Sequence, residues 1–431
     1  MTRLVDAVLP PRLGHPFRWQ VASSWVGQLG DGVALAAGPL LVASQTRSAL
    51  LIAAAAMVQQ LPALLFGLWV GAVVDRVDRR RLVLGANLVR VAVLAVLVTV
   101  VVTGTVTIWL LLAVLFLVGV AELVADTGWR AVLPSIVPRA DLGVANARMM
   151  SGFLVGNQMV GPALGASLFA VGAAVPFGAQ ALALLLAAVL FAKVRVPPVP
   201  GERAQQHLGR DVLDGLRWIA GNPPVRTLTL VILLFNITWG APWGVLVFWA
   251  QERLGVDDVR FGLLTTAVAV GGLAAVLSYD GLERRVPVGR LMKACLALEV
   301  LTHLAFAVTT SWWVAMAVMV VFGGYAFVWG SLSSAVRQRA TPAHLQGRVG
   351  SVYWVGLVGG LLLGQLAGGL LAEHVGPAAP FWFAFVGSGV TLALLWTRLD
   401  RVAAADASDG EPGDGPHAAR PGPVHTDPDR A

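Results

Sequence analysis

From residue 19 to residue 397 the chain is a succession of apolar runs, each about 20 residues long and each ended by a short polar or basic turn. A bilayer core is about 30 Å thick and is crossed by about 20 helical residues. Within it every backbone N–H and C=O needs an internal partner, so runs of this length and spacing fold as helices. Twelve runs are predicted, at 19–43, 50–74, 82–103, 107–127, 149–171, 174–193, 227–250, 261–280, 289–308, 311–334, 351–372 and 378–397. Only 13% of the residues are charged and 57% are hydrophobic, against about 25% charged in a soluble domain. The fold class is an all-α membrane protein. The net charge of +7 lies in the turns, as membrane topology requires, so no nucleic-acid partner is expected. A single cysteine, Cys295, inside an apolar run excludes a disulfide framework. Residues 1–18 are polar and proline-bearing, so no cleavable leader is expected there.

The most charged turn is Gly71-Ala72-Val73-Val74-Asp75-Arg76-Val77-Asp78-Arg79-Arg80-Arg81. Four arginines cannot sit in hydrocarbon, where each costs roughly 2.5–3.5 kcal/mol at a helix centre. This turn therefore lies at a membrane face, and its arginines place that face in the cytoplasm. With twelve spans, Arg47, Arg253 and Arg260 are the basic residues of the opposite face. Both termini are accordingly expected in the cytoplasm, with the chain multi-pass in the cell membrane.

The two halves echo each other. A shift of about 205 residues carries Asp75 onto Asp280 and Asp31 onto Asn236. A shift of about 203 carries Gly161-Pro162-Ala163-Leu164-Gly165 onto Gly364-Gln365-Leu366-Ala367-Gly368. Twelve transmembrane helices in two pseudo-symmetric six-helix bundles follow, with a central site between them. The expected division is 1–194 for the first bundle, 195–226 for a cytoplasmic linker, 227–400 for the second bundle and 401–431 for a disordered tail. In the linker, Leu208, Val212, Leu216 and Ile219 recur at helical spacing, which predicts an amphipathic helix on the membrane surface. The tail is rich in Asp, Gly and Pro and poor in large apolar residues.

Gly71…Asp75-Arg76…Arg79-Arg80 resembles the loop 2–3 signature of the major facilitator superfamily. Gly161-Pro162-x-x-Gly165 resembles the antiporter signature of its drug-efflux branches, with Asn157 where the usual form has a further glycine. Arg337-Gln338…Thr341-Pro342…Leu345…Gly347-Arg348 and Glu122…Asp126…Leu133-Pro134…Ala145-Asn146 are similar to the group of enterobactin exporters and macrolide-efflux carriers. The resemblance implies a secondary transporter, a proton-coupled exporter of a small hydrophobic or amphipathic compound, working by alternating access as a monomer. It also implies that Asp75 faces the start of span eleven near Gly350, and that Asp126 pairs with the loop 2–3 arginine Arg79, making an inner gate with Gly71. An importer of the same fold, or a membrane sensor that transports nothing, are the alternatives. No cofactor is expected, since no phosphate loop and no metal or nucleophile–base constellation stands in the chain.

Several membrane-embedded polar residues are candidates in their own right. Asp31 stands mid-span in Gly30-Asp31-Gly32, where two glycines permit close approach of backbone or ligand. Out of water its charged form is disfavoured, which makes it the candidate for substrate or proton coupling, with Asn236 as its repeat partner. Glu122, Asp126 and Arg130 recur four residues apart on one face of span four. Arg90 on span three lies at the depth of Glu122, so an Arg90–Glu122 ion pair is expected, with Glu122 a second coupling candidate. Glu299 and His303 on span nine are expected to form a structural pair. Phe235, Trp239, Trp243, Phe248, Tyr325, Trp329, Tyr353 and Trp354 are candidates for interface anchors or an apolar cavity wall.

Overall fold

Each predicted run forms a helix in the computed structural model, which describes residues 13–74, 76–138, 141–196, 208–342 and 345–410. The first six are α1 (Gly14–Gln45), α2 (Ala49–Val74), α3 (Arg79–Val102), α4 (Ile108–Ile136), α5 (Leu142–Val171) and α6 (Val175–Phe191). A linker helix follows, α7 (Leu208–Gly221). Span seven is divided into α8 (Pro223–Gly244) and α9 (Leu246–Leu254), with Pro242 just before the break. The rest are α10 (Asp258–Arg285), α11 (Val288–Val308), α12 (Trp312–Ala340), α13 (Gln346–His374) and α14 (Ala379–Gly410). Eleven of the helices among the described residues are long and apolar enough to cross a membrane, and α6 is an apolar helix of 17 residues.

Polar residues in the turns start these helices by taking up N–H groups that have no partner within the helix. Asp78 accepts from the Arg81 N–H (3.0 Å), Thr107 from that of Leu110 (3.3 Å) and Asp257 from that of Arg260 (2.8 Å). Helices α4, α12 and α13 have 29 residues each, about 44 Å at 1.5 Å per residue. They outrun the hydrocarbon, and the sequence reading ended α4 and α12 several residues too early because it followed hydropathy alone. Helix α5 is α-helical except for a π-helical stretch, Phe153–Val160, directly before Gly161-Pro162. Pro162 has no N–H to give to the preceding turn, and a widened turn is one way a helix absorbs that.

The face carrying the α2–α3 turn, the linker and the end of α14 is termed the terminal face, and the other the distal face. The largest apolar cluster draws on both bundles and on their distal ends: Leu40, Leu41, Leu111 and Ala166 from one, Leu246, Trp249, Leu264, Phe306 and Phe381 from the other. A second mixed cluster sets Ala49 and Ala53 against Val245 and Ala372. The clusters near the terminal face stay within one bundle: Leu13, Phe17 and Leu133 in the first, Leu228, Leu291, Leu332 and Val336 in the second. Near that face Trp69 on α2 and Trp354 on α13 remain 67% and 53% exposed. The bundles are thus joined at the distal side and parted at the terminal side.

In the linker helix Ile219 is buried, together with Val225 of α8, against Val349 and Val352 at the start of α13. Leu213 and Leu216 remain exposed. Helix α14 continues to Gly410, into the stretch assigned to the disordered tail, while 411–431 lies outside the described residues.

Candidate functional site

Close helix packing builds the site. Gly30 and Gly32 flank Asp31 on α1, and each admits a different neighbour. A Cβ on Gly30 would come within 2.9 Å of the Ala183 Cβ on α6, and one on Gly32 within 2.6 Å of the Asn157 backbone oxygen on α5. Both are closer than real Cβ contacts, so the neighbouring helices are seated where a side chain would stand. Gly161 and Gly165 complete the seam, since a Cβ on either would overlap α1 backbone at Gly32 or Val33. Gly161, Pro162 and Gly165 are all buried. The antiporter-like motif is therefore the surface by which α5 lies against the turn of α1 carrying Asp31. The flanking glycines serve approach of backbone.

That packing delivers partners to Asp31. The Arg90 Nη2 on α3 donates to Asp31 Oδ1 at 2.5 Å, and the Gln180 Nε2 on α6 to the same oxygen at 3.2 Å. Glu122 Oε2 stands 3.5 Å from the same Arg90 nitrogen. The expected Arg90–Glu122 pair is thus the longer of two, and Asp31 is the nearer partner. Depth along α3 and α4 was legible in the sequence, but the position of α1 depends on glycine contacts with two other helices. Arg90 is 3% exposed, Asp31 11% and Glu122 44% in their side chains, so Glu122 is the cluster's open member.

A cavity of about 40 Å³ adjoins the pair, lined by Ser23, Ser24, Asp31, Asn87, Arg90, Asp126 and Trp129. At about 10–15 Å³ per water it holds roughly three. Ser24 Oγ and Arg90 Nε are buried there with no partner among the described residues, which fits hydration. The chamber suits water and protons; a drug-sized molecule needs about 300 Å³ or more.

The other predicted site residues are dispersed. Asn236 is buried and donates to the Ile232 carbonyl of its own helix at 2.8 Å. Asp75 lies outside the described residues. Arg79 donates to the Ala131 carbonyl (3.1 Å), about one turn beyond Asp126 on α4, and Arg80 to the Ala192 carbonyl. Asp126 lines the chamber with Asp31 and Arg90. A Cβ on Gly71 would meet nothing within 4 Å. In the second bundle, Trp239 stacks on Phe322 (centroids 3.7 Å apart) and neighbours Trp243 (5.2 Å). Tyr325 and Trp329 are buried in that bundle's core, so the aromatic residues divide between wall and core.

Two features went unforeseen. Gln180, a polar residue in an otherwise apolar span, was the available signal for the Asp31 cluster. At the distal side, Glu373 near the end of α13 accepts from the Ser48 hydroxyl (3.1 Å) and the Leu50 N–H (3.2 Å) at the start of α2. Thr266 on α10 donates to the Met159 carbonyl in the π-helical stretch (3.1 Å), a third hydrogen bond between bundles.

Comparison with known proteins places this arrangement. A family described as "Transmembrane secretion effector" matches residues 8–422. The chain is 27% identical to the multidrug efflux pump Tap of Mycolicibacterium fortuitum over 372 residues, 82% of this chain and 88% of that protein. It is 28% identical to macrolide efflux protein A of Streptococcus pyogenes over 199 residues, 45% of this chain and 49% of that one. It is 26% identical to the enterobactin exporter EntS of Escherichia coli O1:K1 / APEC over 288 residues, 66% and 67% of the two. Among solved structures, a bacterial homologue of the iron transporter ferroportin in its inward-facing state has a TM-score of 0.69 at 17% identity, covering 90% of this chain and 98% of that one. The nucleoside transporter NupG has a TM-score of 0.69 at 14% identity, covering 90% and 100%. The chain belongs to the transmembrane secretion effector family of major facilitator superfamily exporters, and is a transporter rather than an enzyme.

Proposed function

We propose that this transporter exports a small hydrophobic or amphipathic compound in exchange for protons, as a monomer with the terminal face and both termini in the cytoplasm. The observation that carries the reading is the charge balance of the first bundle. Asp31 and Glu122 share one guanidinium, Arg90, beside a chamber with room for water. Two carboxylates on one cation within a membrane bundle hold surplus negative charge, and a proton relieves it. Asp31 is the fixed partner of Arg90, and the more exposed Glu122 exchanges the proton. A proton on Glu122 leaves Arg90 to Asp31 alone. Its departure draws Arg90 toward Glu122 and loosens the bond to α1, the helix that carries the α5 seam. The half-buried Trp239–Trp243 wall of the second bundle offers apolar surface to the substrate, an antibiotic, a macrolide or a siderophore-like product. The inner gate is assigned to Gly71, Asp75, Arg79 and Asp126 on the resemblance of their loop.

The test uses purified full-length transporter in proteoliposomes with radiolabelled erythromycin as probe. An imposed pH gradient drives flux in the wild type. Glu122→Gln lowers gradient-driven flux at least about tenfold while exchange without a gradient persists, and Asp31→Asn lowers both. Gradient-driven flux undiminished in Glu122→Gln would remove the coupling role, and flux in the opposite sense would make the chain an importer.

A further inference from the structure

The second bundle holds a titratable cluster that the scheme above does not use. Glu299 and His303 on α11 are fully buried, with His303 Nε2 2.8 Å from Glu299 Oε1. From α12 the Tyr325 hydroxyl donates to Glu299 Oε2 at 2.5 Å. The shift of about 203 residues that relates the glycine motifs carries Glu122 onto Tyr325. Tyr325 thus stands in the second bundle where Glu122 stands in the first, while the same shift carries Arg90 onto Lys293.

The cluster's ionisable surroundings are few. Cys295 stands one turn away on the same helix, and Tyr325 faces the pair from α12. Helix α14 contains no ionisable residue between Ala379 and Thr397, and α8 contributes the Trp239 ring, 6.0 Å from the imidazole. Among the described residues the one cationic partner given to Glu299 is His303 itself.

The unpartnered atom is His303 Nδ1. With Glu299 ionised and His303 neutral, Nε2–H donates to Oε1 and Nδ1 is a bare lone pair, which leaves the cluster negative. One added proton makes it neutral. While Tyr325 still donates to Oε2, that proton resides on Oε1 or Nε2, and in both cases Nδ1 carries a hydrogen. A buried N–H with no acceptor is costly, and a protonated imidazole is attracted to an aromatic face within about 6 Å. The available face is Trp239, now stacked on Phe322 at 3.7 Å.

We infer that Glu299, His303 and Tyr325 form a second proton-binding site, and that Trp239 transmits its occupancy to the aromatic wall. This rests on the proton-coupled reading, but a separate residue set tests it. Proton uptake by the purified full-length transporter is counted with a pH indicator as the medium is taken from about pH 8 to about pH 5, the range in which histidine titrates. His303→Gln takes up about one proton per chain fewer than wild type. Tyr325→Phe keeps the count and moves the midpoint. Trp239→Phe keeps the count and loses the pH-dependent change in tryptophan emission. A His303→Gln count equal to wild type overturns the site, and an emission change equal to wild type in Trp239→Phe overturns the transmission. The aromatic replacements preserve packing, so the question stays answerable if His303→Gln fails to fold. Glu122→Gln separates the two readings. If it leaves count and flux unchanged while His303→Gln loses a proton, the first-bundle scheme fails and this site stands. If it loses a proton and His303→Gln does not, the reverse holds.

Discussion

Arg90 holds two carboxylates from two helices, Asp31 at 2.5 Å and Glu122 at 3.5 Å, while 3% exposed. A buried cation so placed is costly to lose, since its removal leaves negative charges without compensation. Arg90→Ala is expected to destabilise the transporter by about 3–5 kcal/mol, read as a fall in thermal unfolding temperature. Arg90→Lys retains the charge but replaces the weakly hydrated planar guanidinium with a compact, strongly hydrated ammonium. Folding close to wild type with flux of the erythromycin probe at least about tenfold slower is expected for it, and undiminished flux would show that charge alone suffices. All three residues stood out in the sequence because charge inside an apolar run is rare. Their ranking did not, because Asp31 reaches Arg90 through the register of α1 against α5 and α6, and no local pattern encodes that.

At the scale of the helix, glycines set which pairs lie in contact. Gly161 and Gly165 seat α5 on α1, and Gly360, Gly364 and Gly368 seat α13 on α8, the equivalent pair of the second bundle. Gly271 and Gly323 do the same between α10 and α12. Gly165→Ala sets a methyl group against the Val33 carbonyl and is expected to cost about 1–3 kcal/mol through forced separation of the helices. Gly71→Ala is the contrast. A Cβ there meets nothing within 4 Å, so its unfolding temperature should equal or exceed wild type, as alanine is the better helix former. Melting both variants side by side in detergent checks the pair, and equal losses would show that the difference in space around the two glycines has no energetic weight. The glycine spacing was visible in the sequence. The π-helical turn ahead of Pro162 was not, because a proline in a helix can also be absorbed by a simple kink.

At the scale of the whole molecule, twelve helices, their order and the two-bundle repeat were legible, since run length, turn charge and the spaced echoes are all written locally. The joint between the bundles was not. Glu373 is an ordinary exposed carboxylate in the sequence, yet it takes the Leu50 N–H and the Ser48 hydroxyl across the gap. Its carboxylate takes a first-turn N–H of α2 that has no partner within the helix, as a capping side chain does. Glu373→Ala removes a cap of about 1 kcal/mol, a shift of about fivefold toward distal opening. The check is thiol labelling of Ala53→Cys, buried beneath the joint, in a Cys295→Ser background. Labelling should quicken about fivefold when Glu373→Ala is added, and an unchanged rate would remove the joint from the gate.

The position of that joint has a mechanical consequence. Helix α13 is about 44 Å long at 1.5 Å per residue, and its contact with α2 at Gly369 and Glu373 lies near one end. Treated as a rigid lever pivoting there, its far end moves about 0.7 Å for each degree of tilt, so a gap of about 10 Å closes with roughly 15°. A hydrogen bond about one helical turn from the pivot stretches by about 1.4 Å in the same swing, enough to break it. The joint is thus placed where the smallest travel in the machine decides whether it is held or released.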